Sequence, residues 1–114
     1  MKFSITSDAT PLGTFEEQVL LAVIRTRPDA YGMNVRRELE KVTGRDVTIG
    51  SVYVTLDRLE SKGLVDSERT TRSEPNSRRL FVVTRAGALA LAETKSMRER
   101  LWAGVELRAL LRNA

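Results

Sequence analysis

One stretch of this chain decides the fold class: Thr48-Ile49-Gly50-Ser51-Val52-Tyr53-Val54-Thr55-Leu56-Asp57-Arg58-Leu59, followed by Gly63. Four of its apolar residues recur at the spacing of one helix face, namely Ile49, Val52, Leu56 and Leu59. Thr48 has a side chain suited to cap the helix start, and Gly63 tolerates the left-handed conformation that ends a helix. The opposite face of the first turns carries the small residues Gly50, Ser51 and Thr55. This helix can therefore approach another surface closely.

The composition favours a globular protein with an anionic partner. The 114 residues are 41% hydrophobic and 30% charged, and the formal net charge is +4. Arginine accounts for 15 of the 19 basic residues. A guanidinium group binds phosphate and guanine through paired hydrogen bonds. The bias fits a nucleic-acid partner, although an arginine-rich proteome would produce the same bias. Together with the small face of the helix described above, it makes the groove of double-stranded DNA the candidate partner.

Several kinds of chemistry are excluded by what the chain lacks. It contains no cysteine and no histidine, so disulfides, thiolate metal sites and histidine-based catalysis are excluded, and we expect no metal and no cofactor. Capping and a solvated helix face explain the carboxylates, so the sequence does not indicate an enzyme. No apolar run is long enough for a secretory signal or a membrane span. We therefore expect a cytoplasmic protein with no membrane partner.

Two helices are predicted before the decisive stretch. Thr14 and Glu17 form a capping-box pattern, and the apolar periodicity behind them predicts a first helix that Pro28 ends. A second helix is predicted from Tyr31 to Val42, because its apolar residues share one face. Gly44 ends this second helix.

A hairpin and one further helix are predicted after Gly63. Two strands are predicted over residues 64–70 and 79–84. Thr84 then caps a final helix that is predicted to run unbroken to Arg112, roughly 40 Å at 1.5 Å per residue. This order is that of a winged helix-turn-helix domain, an α+β fold that is mostly α. We divide the chain into a mobile leader (1–12), a winged-helix DNA-binding domain (13–84) and a C-terminal dimerisation helix (85–114).

Five segments resemble the PadR family of bacterial transcriptional regulators: Leu12–Glu16, Ala30–Gly32, Gly50–Val65, Arg78–Phe81 and Thr84–Gly87. The Tyr-Gly pair of the second segment and the Gly-Ser-Val-Tyr run of the third are the most specific parts. The single C-terminal helix is similar to that of the short subgroup. The resemblance implies a homodimeric DNA-binding repressor, which a small molecule releases from DNA in many members. Leu80 and Phe81 stand where the family usually has tyrosines.

The third helix of such a domain enters the major groove, and the hairpin, or wing, lies along the backbone or in the minor groove. We therefore expect DNA contacts from three elements, at Tyr31, Asn34, Thr48, Gly50, Ser51, Tyr53, Thr55, Arg58, Arg72, Arg78 and Arg79. Alternatives stay open for several of these: Tyr31 also fits the core, and Ser51 and Thr55 also fit a solvated helix face. Arg58 also fits an ion pair with Glu38, Glu60 or another surface acid. A protein-interaction module that uses the same fold without binding DNA is the alternative function.

The final helix carries more apolar surface than a small domain needs for its own core, which predicts a homodimer. The expected interface residues are Leu91, Leu101, Trp102, Val105 and Leu110. Trp102 has two interpretations. In the first, it packs in the core of the dimer interface. In the second, two Trp102 rings, one from each subunit, line a cavity that binds a planar aromatic effector, with polar contacts from Arg98 or Glu106.

Overall fold

The helices and strands follow the predicted order. The computed structural model describes residues 12–69 and 78–112. Its helices are α1 (Thr14–Arg25), α2 (Gly32–Thr43), α3 (Ile49–Ser61), α4 (Arg85–Trp102) and α5 (Arg108–Arg112), and its strands are β1 (Val65–Arg69) and β2 (Arg79–Val83). The strands pair antiparallel, with Val65 opposite Val83 and Arg69 opposite Arg79. This is a winged helix-turn-helix fold, mostly α-helical, as predicted. The leader up to residue 11 and the wing tip, with Arg72, lie outside the described residues.

Three of the predicted helix boundaries are confirmed by their cap geometry. The Thr48 hydroxyl accepts a hydrogen bond from the Ser51 backbone N–H at 3.1 Å, and the Thr84 hydroxyl accepts one from the Gly87 N–H at 3.0 Å. Each bond satisfies a backbone donor that the first turn of a helix leaves without a partner. Gly63 follows α3 with a φ of +78°, the left-handed conformation that the sequence predicts.

A single apolar core joins the first three helices to the hairpin. Its fully buried side chains lie on facing stripes: Val19, Leu20 and Val23 of α1, Val35 of α2, Val52, Leu56 and Leu59 of α3, and Val65 of β1, with Phe81 of β2 almost fully buried. Burying one such side chain contributes about 1.5–3 kcal/mol. The core thus fixes the orientation of α3, whose predicted stripe faces inward. Within the described residues, no helix has the length and apolarity needed to cross a membrane.

The start of α1 corrects one prediction. Gly13, rather than Thr14, is the N-cap residue, and Thr14 is the first residue of the helix. The Glu16 carboxylate accepts a hydrogen bond from the Gly13 backbone N–H at 3.0 Å. The cap is therefore one position earlier than predicted: the N-cap is Gly13, and Glu16 makes the side-chain hydrogen bond that was predicted for Glu17.

The C-terminal helix also corrects a prediction, because it is not continuous to Arg112. Helix α4 ends at Trp102, and the short helix α5 begins at Arg108. Ala103 leaves the helical conformation with a ψ of 126°, and Gly104 has a φ of +77°. A left-handed glycine ends a helix. Helix α4 alone is about 27 Å long at 1.5 Å per residue.

Candidate nucleic-acid interface

The exposed face of α3 begins with a surface of small side chains. Gly50 and Ser51 are exposed in its first turn. A Cβ atom built at Gly50 meets no other atom within 4 Å, so packing inside the chain does not require a glycine there. Val54 lies one turn further on the same face and is 59% exposed. The sequence reasoning missed Val54, although its place three residues after Ser51 was a usable signal.

Thr55 does not belong to this face. Its side chain is only 5% exposed, and it lies among the buried residues of α3. Helix α3 packs against α1, α2 and β1, so its buried stripe is wider than the four apolar positions that defined it. The predicted groove contact by Thr55 is therefore not retained.

Tyr53 lies beside the exposed face and packs against α2. A Cβ atom at Gly32 would overlap the Tyr53 phenol, so any larger residue at the first position of α2 would displace the Tyr53 ring. The Tyr53 ring also contacts Phe81, with centroids 6.5 Å apart and planes tilted by 53°. The close approach of Gly32 and Tyr53 therefore joins the Tyr-Gly pair to the Gly-Ser-Val-Tyr run in this chain. Tyr53 is half-buried, and its hydroxyl lies at the start of α2.

Tyr31 joins the wing to the start of α2. It is the N-cap residue of α2, and its backbone forms an isolated bridge with Leu80. The guanidinium carbon of Arg78 lies 4.0 Å from the centroid of the Tyr31 ring. This is the distance of a cation–π contact. The wing therefore presents Arg78 next to the N-terminus of α2, where backbone N–H groups favour an anion.

Arg79 points the other way, toward α3. Its guanidinium donates to Asp57 Oδ1 at 2.9 Å and to Glu60 Oε1 at 2.7 Å. Its side chain is 24% exposed. Because Arg79 is paired with two carboxylates of its own chain and points toward α3, the predicted phosphate contact by Arg79 is not retained.

Two other residues predicted to contact DNA, Asn34 and Arg58, differ in their contacts within the chain. The Asn34 amide donates to the Asp29 carbonyl at 2.8 Å, and its oxygen accepts from Arg37 at 3.1 Å. Asn34 therefore orders the α1–α2 connection. Arg58 is exposed, and within residues 12–69 and 78–112 no ion pair joins it to Glu60.

The charge of Arg58 acts instead on Glu16 at the start of α1. Burial raises the pKa of Glu16. Hydrogen bonds from Lys62 and the Gly13 N–H, together with the charges of Lys62 and Arg58, lower the pKa by more than burial raises it. The net result is a pKa below the ordinary 4.5. Ionised Glu16 therefore stabilises the fold above its ordinary pKa, and this contribution is lost as the pH falls through the lowered value. The Lys62–Glu16 pair, at 2.8 Å, ties the end of α3 to the start of α1.

The arrangement of α2, α3 and the wing matches a known family. The model of the transcriptional regulator PadR-like family matches residues 20–93, which is well over half of the chain. The chain belongs to this PadR-like family. Its members are DNA-binding transcription regulators rather than enzymes. Among curated proteins, no sequence matches this chain significantly.

Solved structures of other regulators share the fold. RosR of H. salinarum, in the structure of the complex hsRosR-S4, is 27% identical with a TM-score of 0.66, over 90% of this chain and 84% of that chain. A PadR-like transcription factor from B. fragilis is 21% identical with a TM-score of 0.68, over 86% and 88%. A PadR family transcriptional regulator from Eggerthella lenta is 28% identical with a TM-score of 0.63, over 75% of each chain.

The C-terminal segment of this PadR-like chain is apolar but has no partner within the described monomer. Residues 101–112 are all exposed. Four of the predicted interface residues belong to this segment and are at least half exposed: Leu101, Trp102, Val105 and Leu110. Leu91 differs, because it is partly buried against the core of its own chain. Leu91 is therefore not retained as an interface residue.

The predicted polar contacts for an effector also have partners within the chain. Arg98 of α4 forms an ion pair with Glu17 of α1. The Glu106 carboxylate accepts a hydrogen bond from the Arg108 N–H at 3.0 Å, at the start of α5. Of the three predicted effector residues, only Trp102 is retained, and this residue is 56% exposed.

Proposed function

We propose that this PadR-like regulator is a homodimeric repressor that binds an inverted-repeat operator. The observation that carries the proposal is the exposed first turn of α3, with Gly50 and Ser51, together with the cationic wing residue Arg78, which lies over the Tyr31 ring at the start of α2. Small side chains allow the helix backbone to approach base edges, and Ser51 and Val54 offer a hydroxyl and a methyl surface to them. Arg78 is placed to contact the flanking phosphate backbone.

The dimer is proposed from the exposed apolar segment 101–111. A monomer rarely exposes so many adjacent apolar side chains, and a two-fold axis buries the same patch of two copies against each other. In this proposal residues 13–84 bind DNA and residues 85–114 dimerise. Two-fold symmetry would place the two α3 helices about 34–36 Å apart, in successive major grooves on one side of the duplex. The operator is then an inverted repeat.

The DNA-binding proposal is tested by selection from a random duplex library, followed by titration at several salt concentrations. We expect the protein to enrich one sequence, here called the selected duplex, over a scrambled duplex of the same composition. Arg78→Ala should weaken binding to both duplexes and reduce the slope of log K against log salt by about 1, because one phosphate contact is lost. Lys95→Ala on the exposed face of α4 is the charge-matched control and should leave the slope unchanged. Failure to enrich any duplex would favour the protein-interaction module instead.

We propose further that a planar aromatic effector stacks on Trp102 and changes the spacing of the two α3 helices. Aromatic side chains stack on flat ligands, and a shift between subunits would couple the effector to DNA release. Titration of Trp102 fluorescence with planar dyes is the test, because this is the chain's one tryptophan. We expect at least one dye to quench the emission and to weaken binding of the selected duplex. Unchanged emission and unchanged DNA affinity across the panel would leave Trp102 as an interface residue alone.

A further inference from the structure

We infer that Arg79 is a positioning residue, which fixes the wing to α3 and partly compensates the charge of two carboxylates of that helix. The inference rests on the proposed DNA binding and adds a role that differs from that of the adjacent Arg78. In this scheme Arg78 contacts DNA, whereas Arg79 holds the wing against α3 and compensates part of the negative charge of that helix.

The geometry around Arg79 is that of a clamp between three elements. Arg79 is the first residue of β2, and its guanidinium contacts Asp57 and Glu60 of α3 at 2.9 and 2.7 Å. It also lies 3.4 Å from the hydroxyl of Ser67 on β1, which donates to the second Glu60 oxygen at 2.8 Å. The guanidinium carbon lies 4.8 Å from the centroid of the Phe81 ring. The fork geometry of arginine allows these contacts at once, whereas a lysine ammonium reaches fewer of them.

The charges make this clamp relevant to DNA. Asp57 and Glu60 lie three residues apart on α3, so they share one side of the helix. Asp57 is 61% exposed in its side chain. Two unneutralised carboxylates on a groove-binding helix repel phosphates, and such like-charge juxtaposition opposes binding strongly. The single positive charge of Arg79 reduces the net charge of this group from −2 to −1. The same bonds fix the position of β2, and of Arg78 next to it, relative to α3.

The inference is tested with Arg79→Gln, which removes the charge and keeps an amide donor. We expect this variant to bind the selected duplex about tenfold more weakly, because the charge of the two carboxylates is then uncompensated. Its salt slope should stay within about 0.5 of the wild-type slope, because no phosphate contact is lost. Adding Asp57→Asn and Glu60→Gln should restore most of the affinity. A matched control adds Asp66→Asn and Glu68→Gln on the exposed positions of β1, which changes the charge equally and should restore little.

The outcomes separate this inference from the proposed function. A salt slope reduced by about 1 in Arg79→Gln would mean that Arg79 contacts phosphate directly, and would overturn the inference. Equal restoration by the α3 pair and the β1 pair would overturn it as well. Arg79→Lys is the second variant, should the glutamine variant not fold, and we expect a smaller loss with an unchanged slope. If the wild-type protein enriches no duplex, the proposed function fails and this inference fails with it.

Discussion

Replacing Ser51 with tryptophan is expected to weaken binding of the selected duplex by at least about 100-fold, or about 2.7 kcal/mol, with little effect on the fold. Ser51 is exposed in the first turn of α3, next to Gly50, where a Cβ atom meets open space. A large ring at this point holds the helix away from the base edges. The folded protein loses only a surface hydrogen bond from the Ser51 hydroxyl to the Thr48 carbonyl, which contributes about 0.5–1.5 kcal/mol.

The matched control for this variant is Ser61→Trp. Ser61 is also exposed and is the last residue of α3, about 15 Å along the helix from Ser51 at 1.5 Å per residue. Its affinity for the selected duplex should stay within about threefold of wild type, since surface changes away from special features have small effects. Binding is measured by titration of a fluorescent duplex, and folding by circular dichroism. Equal losses in the two variants would remove the first turn of α3 from the interface.

The combined change of Leu101 and Leu110 to glutamate is expected to convert the dimer to a monomer and to lower operator affinity by about 10²–10⁴-fold. Both side chains are more than two-thirds exposed in the single chain. If two copies bury them against each other, four charges in one interface oppose association. A monomer binds only one half-site and loses the advantage of linked binding.

Light scattering at micromolar concentration measures the oligomeric state of this variant. Val42→Glu is the control, because Val42 is 58% exposed on α2, outside the proposed interface. The control should remain a dimer. A wild-type protein that is already monomeric, or a double variant that remains dimeric, would show that residues 101–111 do not form the interface.

Local sequence signals predicted most of the fold. The helix caps at Thr48 and Thr84 and the left-handed Gly63 depend on residues within one turn, so their chemistry can be read from the sequence. The break at Gly104 was missed, because the apolar residues from Leu101 to Leu111 keep a helical spacing on both sides of it. The sequence does not show whether a single glycine is tolerated within a helix or ends it.

The candidate site was less predictable, because its details depend on tertiary contacts. Thr55 is buried because three elements pack around α3, and the spacing of the apolar residues within α3 does not show this packing. The pairing of Arg79 with Asp57 and Glu60 joins residues about twenty positions apart in the chain. Arg78 and Arg79 are identical in type and adjacent, but Arg78 lies over the Tyr31 ring, whereas Arg79, the first residue of β2, points to α3. Only the structure assigns them different surroundings.

Hydroxyl-radical footprinting of the selected duplex tests the central claim most directly. A homodimer that places α3 in the major groove should protect two symmetric half-sites, about 10–10.5 base pairs apart centre to centre. The bases within the two half-sites should form an inverted repeat, and Leu101→Glu with Leu110→Glu should abolish the paired pattern. Protection of one isolated half-site, or uniform protection without sequence symmetry, would contradict a dimeric operator-binding regulator.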